Sequence, residues 1–253
     1  MERSSQDHLR AEASRYARQL AIPGFGDQAQ QRLSTGHVFI AGLGGLGGPV
    51  SVYLTCAGVG NLTAVDAGDV ELSNLNRQIL YDEADVGSSK ASAAARRLAH
   101  LNPSVNVSVM RESITPENVR ELINEAQVVV DALDTLKDKL MLNQACVEER
   151  VPLVHGAVRG MFGEVTTVIP GRSPCLACIF PKMPHRPGFG PVLGAVAGIV
   201  GCVQAAETIK LLSGLGELLV GNMLDIDVSA GEFSRRKLER NIDCSICGQT
   251  TTL

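Results

Sequence analysis

The alternation of apolar and polar positions predicts strands and helices in regular succession. His37 to Ala41 (HVFIA) is a short run, apolar after His37, of the kind buried on both faces of a sheet. GLGGLGG follows it directly, then an apolar helix to about Ala57 and a second strand over Asn61–Asp66 (NLTAVD). Strand, glycine turn, helix and strand in that order open a doubly wound α/β fold. A helix over about Ser89–Leu101 stops at Asn102-Pro103, a pair that disfavours continuing it. Val105 to Met110 alternates like a strand, and Thr115 opens a helix with Pro116 in its first turn. Gln127–Asp131 (QVVVD) is another buried strand, followed by a helix over about 135–149 and a strand in VPLVHGAV. Beyond this point the pattern changes. GEVTTVI reads as antiparallel, a Pro- and Cys-rich loop covers about 170–190, and a long apolar helix begins near Pro191. Two short strands near 221–236 and a terminal Cys pair complete the chain.

The expected fold is therefore a Rossmann-like, doubly wound, mostly parallel sheet with an antiparallel C-terminal extension and a small zinc-binding appendage. One domain spans 1–253: an N-terminal helix over 7–20, a nucleotide-binding core over 36–160 and a zinc and C-terminal part over 161–253. No repeat or low-complexity linker divides it.

Gly42, Gly44 and Gly47 satisfy GxGxxG between a strand and a helix, with Gly45 inside the loop. Such a loop brings backbone amides and a helix N-terminus up to phosphates. Asp66, about 20 residues on at a strand end, is placed to accept a hydrogen bond from a ribose hydroxyl. A tight turn without a ligand is the plain alternative, and the loop alone does not separate NAD from ATP.

The stretch after Asp66 does separate them. SNLNRQ places Ser73, Asn74, Arg77 and Gln78 close behind it, and Lys90 begins the next helix. Asp131 and Asp134 close the strand in VVVDALD. Strand C-termini are where doubly wound folds bind ligands, so these groups are expected to converge. Basic groups and a carboxylate suit a triphosphate with Mg²⁺, which takes one or two carboxylates plus phosphate oxygens. Hydride transfer needs none of them. Any one of these residues alone reads as a solvated charge or a cap.

Composition narrows the classes further. A net charge of −4, no Trp and 4% aromatic residues argue against nucleic acid as a partner. The most apolar stretch, 191–206, is shorter than the roughly 20 residues a membrane span needs, so a buried core helix is expected. The N-terminal segment is polar throughout and shows no signal peptide, which points to a soluble, cytoplasmic protein with no membrane partner. Seven Cys include two CxxC pairs, Cys175/Cys178 and Cys244/Cys247, a set suited to structural Zn²⁺. A redox CxxC, the rival, needs only one pair. Cys56, Cys146 and Cys202 lie in apolar helical patterns and are expected to be buried, inert thiols.

GLGGLG, VDAGDVELSNLNRQ, Lys90, DALD, an N-terminal RYARQL and both CxxC pairs, in collinear order over about residues 15–248, resemble the MoeB/ThiF/HesA family. These are relatives of the ubiquitin-activating enzymes. The resemblance implies an adenylyltransferase that uses ATP and Mg²⁺ to activate the C-terminal Gly-Gly carboxylate of a small ubiquitin-fold sulfur carrier, MoaD- or ThiS-like, for molybdopterin or thiamine synthesis. It also implies that Asn74 and Arg77 contact ATP with Gln78 nearby, that Lys90 is the phosphate-binding lysine, and that Asp134 is the Mg²⁺-associated acid. Arg18, in RYARQ, would reach the partner's ATP site in a homodimer. Together with Ser73 and Thr135, these residues form the expected nucleotide site.

The chain departs from the family pattern at three places. Gly68 stands where a second acid is common, with Asp69 next. Thr135 replaces the usual Asn. The loop KMPHRPGFGPVLG has no Cys, and the family's position for one falls near Pro187. The expectation is that the chain stops at the adenylate and a separate sulfurtransferase follows, with the basic Lys182, His185 and Arg186 either guiding the carrier tail or simply solvated. Activation of a carrier in another sulfur or ubiquitin-like pathway, a tRNA-modifying relative, an NAD-dependent oxidoreductase and a non-catalytic relative that only docks ATP or carrier are the competing readings. The oxidoreductase leaves RYARQ, SNLNRQ, Lys90 and DALD without roles.

Overall fold

The computed structural model describes residues 14–181 and 190–248. In chain order the elements are α1 (Ala17–Leu20), α2 (Gly26–Ser34), β1 (His37–Ala41), α3 (Gly47–Ala57), β2 (Asn61–Val65), α4 (Lys90–Leu101), β3 (Asn106–Met110), α5 (Val119–Ile123), β4 (Val128–Asp131), α6 (Leu136–Glu148), β5 (Leu153–Arg159), β6 (Phe162–Val168), α7 (Leu176–Ile179), α8 (Gly194–Ser213), β7 (Asn222–Asp227) and β8 (Glu232–Lys237). The strands form one sheet in the order β3-β2-β1-β4-β5-β6-β7-β8. The first five are parallel and the last three antiparallel, as the change of pattern after residue 160 implies. Chain order reverses between β1 and β4, so a crevice opens there at the strand C-termini, the place where doubly wound folds take ligands.

Both faces are covered at the centre of the parallel part, which is why β1 and β4 are apolar at nearly every position, whereas the edge strand β3 alternates. Val38, Ile40, Val128, Val130 and Val154 pack into the core on the α3 and α8 side. Phe39, Ala41, Val129 and Leu153 point the other way, onto Leu142 of α6 and Leu176 of α7. Strand β8 is exposed along its length and carries Glu232, Arg235, Arg236 and Lys237, charges that discourage edge-to-edge pairing. Helix α8 is long and apolar enough by composition to cross a membrane. It packs instead on α3, β5 and β6, with Gln204 and Glu207 buried in hydrogen bonds.

Three local expectations change. The segment 115–118 forms a turn, and regular helix begins only at Val119. The Asn118 side chain accepts from Thr115 N and donates to Glu112 and to the Ser113 carbonyl, holding the turn out of helical geometry. The apolar helix begins at Gly194, because Val192 bridges to Gly160, and it runs on to Ser213. Near the N-terminus residues 14–20 are helical apart from a turn at Tyr16, while 7–13, like Lys182, His185, Arg186 and Pro187, lie outside the described residues.

Candidate active site

Glycine is required at two points of the loop after β1. Gly42 has φ +91°, and a Cβ there would lie 2.9 Å from the Ala132 carbonyl oxygen. A Cβ on Gly47 would meet the Gly42 carbonyl oxygen at 1.9 Å, so helix and strand close on each other only without it. The loop is braced by Asp66, whose carboxylate accepts from Leu43 N and from Gly68 N, both at 2.9 Å. Tyr81 OH donates to the Leu43 carbonyl. Burial, with the charges of Asp66 and Asp85, pushes Tyr81 far up, so it stays a proton donor.

The remaining motifs border this loop. Gln78 is buried, its Nε2 would lie 3.7 Å from a Cβ on Gly44, and its Oε1 has no hydrogen-bond partner among the described residues. Gly45 faces the Arg77 carbonyl and side chain. Ser73 and Asn74 form a 3₁₀ turn in which Asn74 accepts from Glu71 N and Ser73 donates to Glu71. Arg77 reaches back to the Ser73 carbonyl at 2.8 Å and to Asn76 Oδ1 at 3.1 Å. Helix α8 begins against this segment, for a Cβ on Gly194 would lie 2.2 Å from the Asn76 carbonyl oxygen. At Gly68 a Cβ would fall 3.1 Å from Asp66 Oδ1 and 3.4 Å from Lys90 Nζ. Lys90 thus lies over the 66–68 turn, in the space that a larger residue at 68 would enter. Asp69 does not fill that role, since it pairs with Arg111 at 2.9 Å.

Across the crevice the 131–135 turn abuts Gly42 through Ala132. Thr135 caps α6 by accepting from Asp138 N at 3.1 Å, a duty its hydroxyl performs in place of an Asn amide. Asp134 stands exposed at the rim. Asp131 does not join it: its side chain is fully buried beneath the turn, where Lys139 Nζ lies 3.1 Å from Oδ1 and His155 Nδ1 2.7 Å from Oδ2. Burial alone would raise Asp131, but Lys139 and His155 outweigh it and hold the carboxyl below the usual carboxylate range. Sequence reasoning missed Lys139 and His155. The available signal was a Lys on the inward side of α6 and a His inside an otherwise apolar strand. Arg18 is exposed on α1 and makes no ion pair among the described residues.

A model of the ThiF family matches residues 16–246. The chain belongs to the ThiF family. It is 42% identical over 239 residues to the vegetative HesA protein of Trichormus variabilis, covering 94% of this chain and 90% of that one. It is 41% identical over 241 residues to the SAMP-activating enzyme E1 of Haloferax volcanii, covering 93% and 88%. Among solved structures it resembles E. coli MccB crystallised with ATP, at a TM-score of 0.84 and 25% identity over 92% of this chain and 73% of that one. The MccB complex with N-formylated MccA gives 0.85, 25% identity and coverage of 92% and 75%. The chain is an adenylyltransferase of this family.

The ThiF fold ends here in a four-thiol cluster. Cys175 and Cys178 bracket the start of α7, and Cys244 and Cys247 lie in the last described turns, with all four Sγ within 4.8 Å of one another. The Cys175–Cys244 and Cys178–Cys247 separations are 3.7 and 3.4 Å. Tetrahedral Zn²⁺ with bonds of roughly 2.3 Å needs about 3.8 Å, so the donor set fits zinc. Within the cluster burial pushes Cys175 and Cys178 up, while the Cys247 and Ile246 amides and the neighbouring thiols offset burial at Cys244 and bring it to about 7, so Cys244 is the thiol that ionises first. Of the other three cysteines only Cys146 is buried as expected; Cys56 and Cys202 are exposed. Both fall outside the buried positions of their helices, α3 and α8, so the helical phase turns their thiols outward. Partial burial still raises Cys202, which keeps it protonated and a poor nucleophile.

Proposed function

We propose that this enzyme uses ATP and Mg²⁺ to adenylylate the C-terminal carboxylate of a ubiquitin-fold sulfur carrier ending in Gly-Gly, of the MoaD or ThiS kind. The observation that carries the reading is the convergence of three separate motifs, SNLNRQ, the Lys90 segment and DALD, on one loop. Gln78 lies beside Gly44, Arg77 beside Gly45, Lys90 beside the Asp66 turn that braces Leu43, and the Asp134 turn against Gly42. A ligand lying on that loop meets a carboxylate suited to a ribose, amides suited to phosphate, and two cations. An NAD-dependent oxidoreductase has no use for the cations or for Asp134. The likeness to a SAMP-activating E1 over 88% of that protein supports a ubiquitin-like substrate.

A carrier carboxylate, with a pKa near 3.5, is already ionised at neutral pH, so the step needs no general base. One of its oxygens attacks the α-phosphorus in line. The bond to the bridging oxygen breaks, and pyrophosphate leaves with the electron pair. The difficulty is bringing an anion up to a triphosphate, and Arg77 and Lys90 lower that cost by placing positive charge beside the loop. Asp134 is the carboxylate that would hold Mg²⁺, which supplies further charge neutralisation on the phosphates when bound. In this reading the enzyme is a homodimer, and Arg18 on α1 reaches into the ATP site of the second copy. Asn74, Ser73 and Thr135 shape the pocket by holding their turns. A separate sulfurtransferase then acts on the carrier adenylate.

The test is incubation with ATP, Mg²⁺ and a panel of Gly-Gly carriers, read by intact mass. A carrier–AMP adduct on one carrier is expected. Unmodified carriers throughout, from protein that binds ATP, would reduce the reading to nucleotide binding. ATP with Mg²⁺ should also raise the melting temperature, and NAD should not.

A further inference from the structure

Asp131, Lys139 and His155 form a buried polar group that the adenylation scheme above leaves without a task. Register brings them together: Asp131 of β4 pairs with His155 of β5 at the carboxyl end of the parallel strands, with side chains on the face covered by α6. Lys139 comes down from α6 to within 3.1 Å of Asp131 Oδ1 and donates to the Gly156 carbonyl at 2.8 Å. Asp131 Oδ1 also accepts from Leu133 N at 3.1 Å, and Gln204 of α8 donates to the Asp131 carbonyl. Asp131 can only accept while it is ionised, so His155 Nδ1 carries the proton between them. His155 Nε2 is buried without a hydrogen-bond partner among the described residues, 4.0 Å from Glu164 Oε1, and the ring lies edge-on to Phe180.

Bringing a Lys and an Asp into a dry core costs several kcal/mol, and an apolar pair of the same volume usually serves stability as well or better. The group is therefore better explained by what it holds. The turn that carries Asp134 is fixed on one side by the Leu133 amide on Asp131. On the other side it is fixed by the Thr135 cap of α6, and Lys139, whose own amide bonds to the Thr135 carbonyl, ties that helix to the same carboxylate. Both ends of the Asp134 turn thus converge on Asp131.

We propose that Lys139 and His155 are positioning residues for Asp134. Acting through Asp131, they fix the 131–135 turn so that the Asp134 carboxylate meets Mg²⁺-bound ATP in one geometry. This rests on the reading of Asp134 as the Mg²⁺-associated acid.

Calorimetric ATP binding with and without Mg²⁺ tests it, using the full chain. In the wild type Mg²⁺ should tighten ATP binding. Asp131→Asn combined with Lys139→Met removes both charges, keeping the core neutral, and should cut that tightening at least fivefold while ATP alone binds within twofold. Turnover with carrier should fall at least tenfold with little change in the KM for carrier. Should the double variant not fold, His155→Leu against His155→Gln gives the same comparison. The Gln amide can still donate to Asp131 and should retain most of the Mg²⁺ effect, whereas Leu should not. A group that serves only stability would lower the melting temperature and leave the Mg²⁺ effect intact in folded protein, and that result would overturn the proposal. Asp134→Ala separates the two claims. If it too leaves the Mg²⁺ effect intact, the reading of Asp134 fails and takes this inference with it. If it removes the effect and the pair substitution does not, only the inference falls.

Discussion

The carbonyl oxygen of Gly42 occupies the place where a Cβ on Gly47 would sit, 1.9 Å away. Strand β1 and helix α3 are in contact there through backbone alone. Gly47→Ala must push the two apart. Overpacking of this kind costs about 1–3 kcal/mol, which for a chain of this size lowers the melting temperature by roughly 3–10 °C. The loop geometry goes with it, so ATP should no longer stabilise the variant. Thermal denaturation with and without ATP checks both parts, and undiminished stabilisation by ATP would contradict the role given to the loop.

Lys90 and Asp134 sit on opposite sides of the same crevice, neither inside the core. Lys90→Ala and Asp134→Ala should each lower carrier-dependent pyrophosphate exchange by at least 100-fold, about 2.7 kcal/mol of transition-state stabilisation. Substitutions so placed usually change stability by no more than about 0.5 kcal/mol, so the melting temperature should hold within roughly 2 °C. Near-normal exchange in either variant would remove that residue from the scheme.

Asp131 gives a pH signature. Its folded value lies below the ordinary one, so its contribution is in place above about pH 4 and is lost only as pH falls through that lower folded value. Lys139→Met reverses the sign. Burial then dominates, the folded protein takes up a proton at Asp131 more readily than the unfolded chain, and its stability rises as pH falls. The deficit of the variant, roughly 3–5 kcal/mol at pH 8, should narrow towards pH 5. Denaturant titrations of both proteins at the two pH values measure it, and a deficit that stays constant or widens would contradict the assignment.

Much of this was legible in the sequence because backbone constraints write themselves into it. The central parallel strands β1 and β4 announce themselves as apolar runs, since both their faces are buried. The glycines of the loop are the residues that φ and close approach demand. The four thiols are legible for a similar reason, because no other residue makes that donor set. Side-chain direction was less legible. Asp131 and Asp134 look alike in DALD, yet one is at the base of the turn and the other at its rim, and only the pairing of β4 with β5 decides which. Cys56 and Cys202 have apolar neighbours in sequence, but the helical phase puts them on the outer face. Thr115-Pro116 has the composition of a helix start, and the Asn118 side chain takes the backbone groups such a start needs. The space at Gly68 acquires meaning only once Lys90 is seen beside it.

The four cysteines join loops about 66 residues apart and hold the C-terminal turns against α7. Freshly purified protein should contain one zinc per chain. Removing it, or changing Cys244 to Ser, should cost about 3–5 kcal/mol and lower the melting temperature by roughly 10 °C, while the Gly loop, built from other elements, still binds ATP. Metal analysis alongside thermal denaturation reads both, and metal-free protein of full stability would contradict a structural zinc site.

Carrier-dependent exchange of pyrophosphate into ATP, with Mg²⁺, tests the central claim most directly, because it reports the reversible formation of an adenylate and nothing later. The expected result is exchange that requires one Gly-Gly carrier and disappears when the terminal carboxylate of that carrier is amidated. Exchange that persists with the amidated carrier, or none with any carrier from protein that binds ATP tightly, would contradict adenylation of a carrier C-terminus.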